Sequence, residues 1–187
     1  MDTLKRAEID LEKEMDKWID LTLGALAIAF TRYWGWGVKR ISNVMDEIQN
    51  AWDECAETNT KSMIQMLEEE TGVELRSFTD NRGWRELAFL NNDLSKKINV
   101  NGMTKAQWVV MRRNQIKWMR PQIYASALLG LHRRYGFGYE RLARLVGQID
   151  DVIAECDYDK NKLLKVAYEE AHFVMKGKND EILGFSN

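Results

Sequence analysis

Apolar residues recur along this chain with the period of an α-helix. Ile41, Val44, Met45, Ile48, Trp52 and Cys55 follow one another at three- and four-residue intervals, and Leu142, Leu145, Val146, Ile149, Ile153 and Cys156 do the same. Such a stripe buries one face of a helix and leaves the other to solvent. Upstream, Leu4 to Tyr33 reads as one long helix, amphipathic at first and apolar nearly all round from Leu23, so its second half belongs at the centre of the core. The run Tyr33-Trp34-Gly35-Trp36-Gly37 stops it, because glycine adopts the left-handed conformation that ends a helix. A polar break at 57–60, and again at 157–161, offers Asn59, Thr60 and Asp159 as N-caps for third helices over 61–71 and 160–175.

The two stripes are parts of one unit used twice. Residues 23–73 align with 124–174 at a constant offset of 101, without a gap, and eleven positions are identical. They include Arg32/Arg133, Gly35/Gly136, Gly37/Gly138, Arg40/Arg141, Cys55/Cys156, Glu68/Glu169 and Glu69/Glu170. Each copy reads helix, glycine turn, helix, polar turn, helix. Between them lies an insert, 75–103, with a short helix expected over 83–97 and a loop at 99–102. Thr104 with Gln107 fits a capping box that starts a new helix. Pro121 is expected to kink that helix or to begin its successor. The last residues, 177–187, read as a frayed tail.

The expected fold is therefore all-α, a single domain over 1–187 with two pseudo-symmetric three-helix repeats around the long N-terminal helix and a basic helical insert. A single proline and seven tryptophans in 187 residues fit a packed helical protein. The longest apolar stretch, 23–30, is far below the ~18–20 residues that span a bilayer. Acidic residues crowd the N-terminus where a secretory signal would be basic, so the expected location is cytoplasmic. Reduced, packed thiols are the reading for both cysteines.

A net charge of −2 hides a segregation that changes the picture. Residues 1–75 hold 8 Lys/Arg and 16 Asp/Glu, residues 76–144 hold 14 and 4, and residues 145–187 hold 5 and 9. A basic block sits between acidic ends, which is an argument about partners. Within it Arg112, Arg113, Lys117 and Arg120 recur at helical spacing with Trp108 and Trp118, and Arg133, Arg134 and Arg144 follow. Cations on a helix beside aromatic rings suit phosphates and stacked bases. The alternative is that they meet the acidic helix of the same molecule.

The glycine turns carry the other candidate chemistry. Gly35, Gly37 and Arg40, repeated as Gly136, Gly138 and Arg141, place a cation in the first turn of a helix. Either the arginines pair with Glu68/Glu69 and Glu169/Glu170, or the turns bind an anion. Trp34, Trp36, Tyr135 and Phe137 are aromatic locks between helices, or hot spots for a protein partner if exposed. Glu169-x-x-His172 has the spacing of a di-iron ligand pair, but the first copy has Glu68-x-x-Thr71. Cys55, Cys156, His132 and His172 lack the close pairs of zinc motifs. No metal, cofactor or catalytic set is expected, and the chain reads as non-enzymatic.

The repeated run Arg-x-x-Gly-x-Gly-x-x-Arg, with Trp34-Gly35-Trp36-Gly37-Val38-Lys39-Arg40-Ile41 and Tyr135-Gly136-Phe137-Gly138-Tyr139-Glu140-Arg141-Leu142, resembles a unit of small all-helical proteins from phages and prophages of Gram-positive bacteria. The resemblance covers about 100 residues. It implies a non-enzymatic phage-encoded interaction protein whose partner is a host protein or ribonucleoprotein complex. An anti-CRISPR-like inhibitor of a host nucleic-acid machine is the concrete form. The alternative is a nucleic-acid-binding accessory protein using segment 76–144.

Overall fold

A computed structural model describes residues 3–57, 63–75 and 104–175. The expected helix at 83–97, the loop at 99–102, the caps Asn59 and Thr60 and the tail at 177–187 lie outside the described residues. So do the side chains of Cys55, Arg112, Arg113 and Lys117.

The described residues form six α-helices and no strand: α1 (Thr3–Trp34), α2 (Val38–Glu57), α3 (Met63–Thr71), α4 (Lys105–Tyr135), α5 (Tyr139–Glu155) and α6 (Lys160–Ala171). The all-α expectation is met. Thr104 caps α4 through the capping box read from the sequence, and the Asp159 carboxylate accepts the Lys162 N–H at 2.9 Å to open α6. Gly35 and Gly136 take φ of 64° and 63° and end α1 and α4. The Trp36 N–H then reaches back to the Phe30 carbonyl, and the Phe137 N–H to that of Leu131.

Pro121 neither ends α4 nor begins another helix; α4 runs from Lys105 to Tyr135 as one element with the proline inside. A proline in a helix interior costs about 3 kcal/mol. Residues 121–130 are all buried, and tertiary packing of that apolar turn-by-turn run offsets the lost backbone bond. The second third-helix is also shorter than expected, because His172 takes φ of 51° and closes it after Ala171.

The long helices are the centre. Residues 21–30 of α1 and 121–131 of α4 are buried on all sides apart from half-buried Leu23. Arg120 of α4 lies over the Trp18 ring of α1 at 4.9 Å, and at the other end Trp34 stacks on Phe137 at 5.2 Å. Contacts at both ends with matching order mean that α1 and α4 run parallel, side by side, for about 24 Å at 1.5 Å per residue. Each is then wrapped by the hairpin of the other half. The packing is most extensive between α1 and α5 with α6, and between α4 and α2 with α3. Contacts of α1 with its own α2, and of α4 with its own α5, are slight.

The ungapped alignment fails in the third helix. Buried positions in α2 and α5, Ile41/Leu142, Val44/Leu145 and Ile48/Ile149, keep the offset of 101. In α3 and α6 the buried positions are Met63/Leu163, Ile64/Leu164 and Leu67/Ala167, an offset of 100. The left-handed caps, Gly72 and His172, obey the same slip. Glu69 and Glu70 therefore correspond to Glu169 and Glu170, and the apparent identities of Glu68 with Glu169 and of Glu69 with Glu170 come from a run of three glutamates read one residue out of step.

Gly24 marks the crossing of α1 over α6. A Cβ there would sit 2.3 Å from Leu163 Cδ2 and 3.3 Å from Leu164 Cδ2. Gly24→Val is expected to pry the two helices apart and cost about 1–3 kcal/mol in urea unfolding. Gly147→Ala, in the exposed interior of α5 with open space around it, should instead gain ~0.5–1 kcal/mol. Equal effects at the two positions would contradict the cross-packing.

Candidate functional site

The two glycine turns meet. Phe30 and Trp36 stack at 4.2 Å with an interplanar angle of 9°. Trp36 stands edge-on to Phe137 at 5.9 Å, and Tyr135 lies 6.1 Å from Trp36 where Trp34 lies 5.2 Å from Phe137. Trp34/Tyr135 and Trp36/Phe137 are repeat equivalents, so the last two contacts are the same contact made in both directions. Trp36 and Phe137 are buried and Trp34 is half-buried, with its indole N–H donating to Gln148 Oε1 at 2.9 Å. The locking role expected for the turn aromatics is what their geometry shows, and aromatic pairs of this kind add about 0.5–1.5 kcal/mol each beyond burial.

Arg40 stacks on this cluster, and Arg141 lies within cation–π reach of it. The Arg40 guanidinium carbon lies 3.9 Å from the Trp36 ring centroid, and that of Arg141 lies 5.7 Å from Phe137. Glu169 and Glu170, expected to pair with Arg141, are engaged elsewhere. Arg32, at the end of α1, donates Nε to Glu170 at 2.6 Å and a terminal nitrogen to Glu155 at 2.7 Å. Arg133, its equivalent on α4, holds Glu70 through two nitrogens at 2.7 and 3.1 Å. Glu169 faces Lys165 at 3.9 Å. The reason is topological: the third helix of each half packs on the long helix of the other, so Glu170 meets Arg32 and Glu70 meets Arg133.

The basic block divides. Arg120 is bonded to Asp150 at 2.5 Å, with Asp150 also accepting the Tyr124 hydroxyl at 2.8 Å, and is sandwiched against Trp18 and Tyr124. Burial pushes the Tyr124 hydroxyl far above its ordinary range, with Asp150 adding to the shift. Arg133 serves Glu70, and Arg134 meets Glu47 at 3.1 Å. Arg120 is a largely covered, structural cation, whereas Arg133 and Arg134 are paired but stay exposed at the surface. Arg144 is exposed on α5, while Arg112, Arg113 and Lys117 lie on the first half of α4. Sequence reasoning missed the buried Asp20, which pairs with Lys160 at 2.9 Å; burial raises its carboxyl pKa against the pull of that lysine.

Part of the exposed apolar surface lies at the glycine turns. Tyr33, Val38 and Tyr139 are half exposed, at 48%, 49% and 56%, beside Lys39, Arg40, Arg141 and Arg144, which are exposed too. Tyrosine and arginine on a rigid base are the composition of a binding hot spot. Among the described residues no three His, Cys, Asp or Glu side chains are grouped to hold a metal ion, and no helix is long and apolar enough to cross a membrane. The His132 ring nitrogen Nδ1 is 2.9 Å from the Phe137 carbonyl, and Cys156 is a buried free thiol whose pKa burial raises. Comparison with protein families, curated proteins and solved structures finds no match for this chain.

The cross-half ion pairs set a pH dependence. Hydrogen bonding to Arg32 holds the Glu170 carboxyl below the usual carboxylate range, and Arg133 does the same for Glu70. Their stabilisation is present above the unfolded pKa of about 4.3 and is lost as pH falls through the lower folded value. Glu70→Gln with Glu170→Gln should lower stability at pH 7 by roughly 0.5–2 kcal/mol in total, since both pairs are partly exposed. The gap between variant and wild type should close on acidification below pH 4.

Proposed function

We propose that this chain is a non-enzymatic interaction protein that inhibits or redirects a nucleic-acid machine of a bacterial host, in the manner of an anti-CRISPR protein, and that it holds its partner with the glycine-turn face. The observation that carries this reading is the placement of Arg40, stacked on Trp36 at 3.9 Å, and Arg141, 5.7 Å from Phe137, on a buried aromatic cluster where the two turns meet. Long cations normally lose side-chain freedom on binding, at about 0.5–1.5 kcal/mol each. Stacking on Trp36 restrains Arg40 in advance. Exposed Lys39 and Arg144 add to the cations near the turns against a single exposed Glu140, and Tyr33, Val38 and Tyr139 are half exposed on the same segments, a mixture suited to an acidic protein surface or a ribonucleoprotein. The resemblance to phage-encoded helical proteins supplies the host context.

Stability does not require these arginines to bind anything. A cation in the first turn opposes the helix dipole by about 0.3–1 kcal/mol, and an exposed cation–π contact returns about 0.5–1. Charge reversal of both arginines is therefore expected to shift unfolding free energy by no more than about 1 kcal/mol. Capture of a host complex from deoxyribonuclease-treated lysate of a Gram-positive bacterium, followed by assay of the captured machine with added protein, tests the reading. Wild type should inhibit the machine at least tenfold and Arg40→Glu with Arg141→Glu should not. Inhibition that survives the double reversal, or capture that disappears with deoxyribonuclease, would overturn it.

A further inference from the structure

The contacts between the two glycine turns are reciprocal. Trp34 reaches Phe137 as Tyr135 reaches Trp36, at 5.2 and 6.1 Å, and Arg32 reaches Glu170 as Arg133 reaches Glu70. Such an exchange, in which one residue meets the equivalent of its equivalent's partner, is the pattern of a twofold axis. The long helices that it relates are parallel, so the axis runs along them and leaves the molecule at their turn end. Trp36 stands 5.9 Å from its own repeat equivalent, Phe137, and a residue that touches its equivalent lies beside the axis. The axis therefore emerges through the aromatic lock, at the centre of the glycine-turn face.

Arg40 and Arg141 flank that point. Their guanidinium carbons lie 3.9 Å from the Trp36 ring and 5.7 Å from the Phe137 ring, so the two cations are no further apart than 3.9, 5.9 and 5.7 Å laid end to end. Both are exposed, and among the described residues neither forms an ion pair. Around them the two copies differ: Tyr33 is answered by Arg134, Val38 by Tyr139 and Lys39 by Glu140. The other shared arginines, Arg32 and Arg133, are held by Glu170 and Glu70. What the two halves present in common to a partner is thus one unpaired arginine each, on either side of the axis.

We propose that the partner on the glycine-turn face is a homodimeric protein of the host machine, docked with its own twofold axis on this one, an acidic side chain of one subunit meeting Arg40 and that of the other meeting Arg141. One chain then binds two partner subunits. This rests on the glycine-turn face being the partner site. An asymmetric protein can answer the two arginines only by two different contacts. A dimer whose axis coincides makes one contact twice, and the second forms within the complex rather than by a second encounter. Charge fits the same occupant, because these cations would repel a second copy of the face and are answered by acidic groups on both sides of a partner axis.

The test uses the full-length chain and the host complex captured from deoxyribonuclease-treated lysate. The photo-crosslinking residue p-benzoylphenylalanine replaces Val38 in one variant and its equivalent Tyr139 in another, positions 49% and 56% exposed. After irradiation, the crosslinked peptides are identified by mass spectrometry. Both probes should mark the same peptide of the same subunit, and native mass spectrometry should show one chain per two copies of that subunit. Arg40→Glu and Arg141→Glu, made singly, should each weaken binding by about tenfold or more, and by amounts within about threefold of each other.

Crosslinks to two different subunits, or to two separate peptides, would overturn the proposal. So would one chain per single subunit, or one reversal that abolishes binding while the other is silent. In each of these cases loss of binding in Arg40→Glu with Arg141→Glu still upholds the glycine-turn face, and it is the symmetric partner that fails. Binding that withstands the double reversal removes the face itself and the symmetric partner with it. Circular dichroism and thermal unfolding of each variant separate a loss of binding from a loss of fold.

Discussion

A helix that is apolar on every side cannot stand at a surface, and this protein has two of them. The segments 21–30 and 121–131 are buried nearly throughout, and each fully buried leucine or isoleucine contributes about 1.5–3 kcal/mol. That gain exists only if each segment is surrounded by other helices. Lying parallel, α1 and α4 cover one flank of each other, and a two-helix hairpin must cover the rest. The hairpin that follows each long helix in sequence folds instead onto the other one. Neither half of the chain then carries a complete core, and the stability of each long helix depends on residues of the other half.

Glycine turns make that exchange possible. The left-handed residues at Gly35 and Gly136 end the long helices abruptly, and Trp36 and Phe137, next along the chain, tuck into the same cluster from opposite halves. Arg32 and Arg133 then tie the last turns of the long helices to Glu170 and Glu70 of the opposite halves. The aromatic contacts hold the turns together from within and the ion pairs hold them from outside. With the inner rings committed to this lock, Tyr33, Val38, Tyr139 and the turn arginines are left exposed at its rim.

Local pattern made the helices legible. The stripes of α2 and α5, the Thr104 capping box and the Asp159 cap depend on residues within a turn of one another, and sequence spacing reports them directly. What spacing could not report was which half covers which long helix, because a stripe says that a face is buried and not by what. The arginine pairing failed for that reason: Glu170 is 138 residues from Arg32 and 29 from Arg141, and proximity in sequence favoured the wrong partner. The slip in the third helix had a readable signal. At an offset of 100, Met63, Ile64, Met66 and Leu67 face Leu163, Leu164, Val166 and Ala167, all apolar, whereas at 101 Ile64 faces Lys165. Hydrophobic register outweighs identity where a run of like charges matches itself in two frames.

The same topology bears on the charge segregation. Because α1 and α4 are parallel and in step, a chain that is acidic at the start of one and basic at the start of the other brings opposite charges to the same end of the molecule. Parallel helices align their dipoles, which is mildly unfavourable, and opposite net charge on the two N-terminal halves offsets that repulsion. The glycine-turn face lies at the far end of the pair, about two Debye lengths or more from those halves at physiological salt, where the Debye length is ~8 Å. Its arginines are thus screened from the acidic strip of α1, and their field acts on whatever meets the turns.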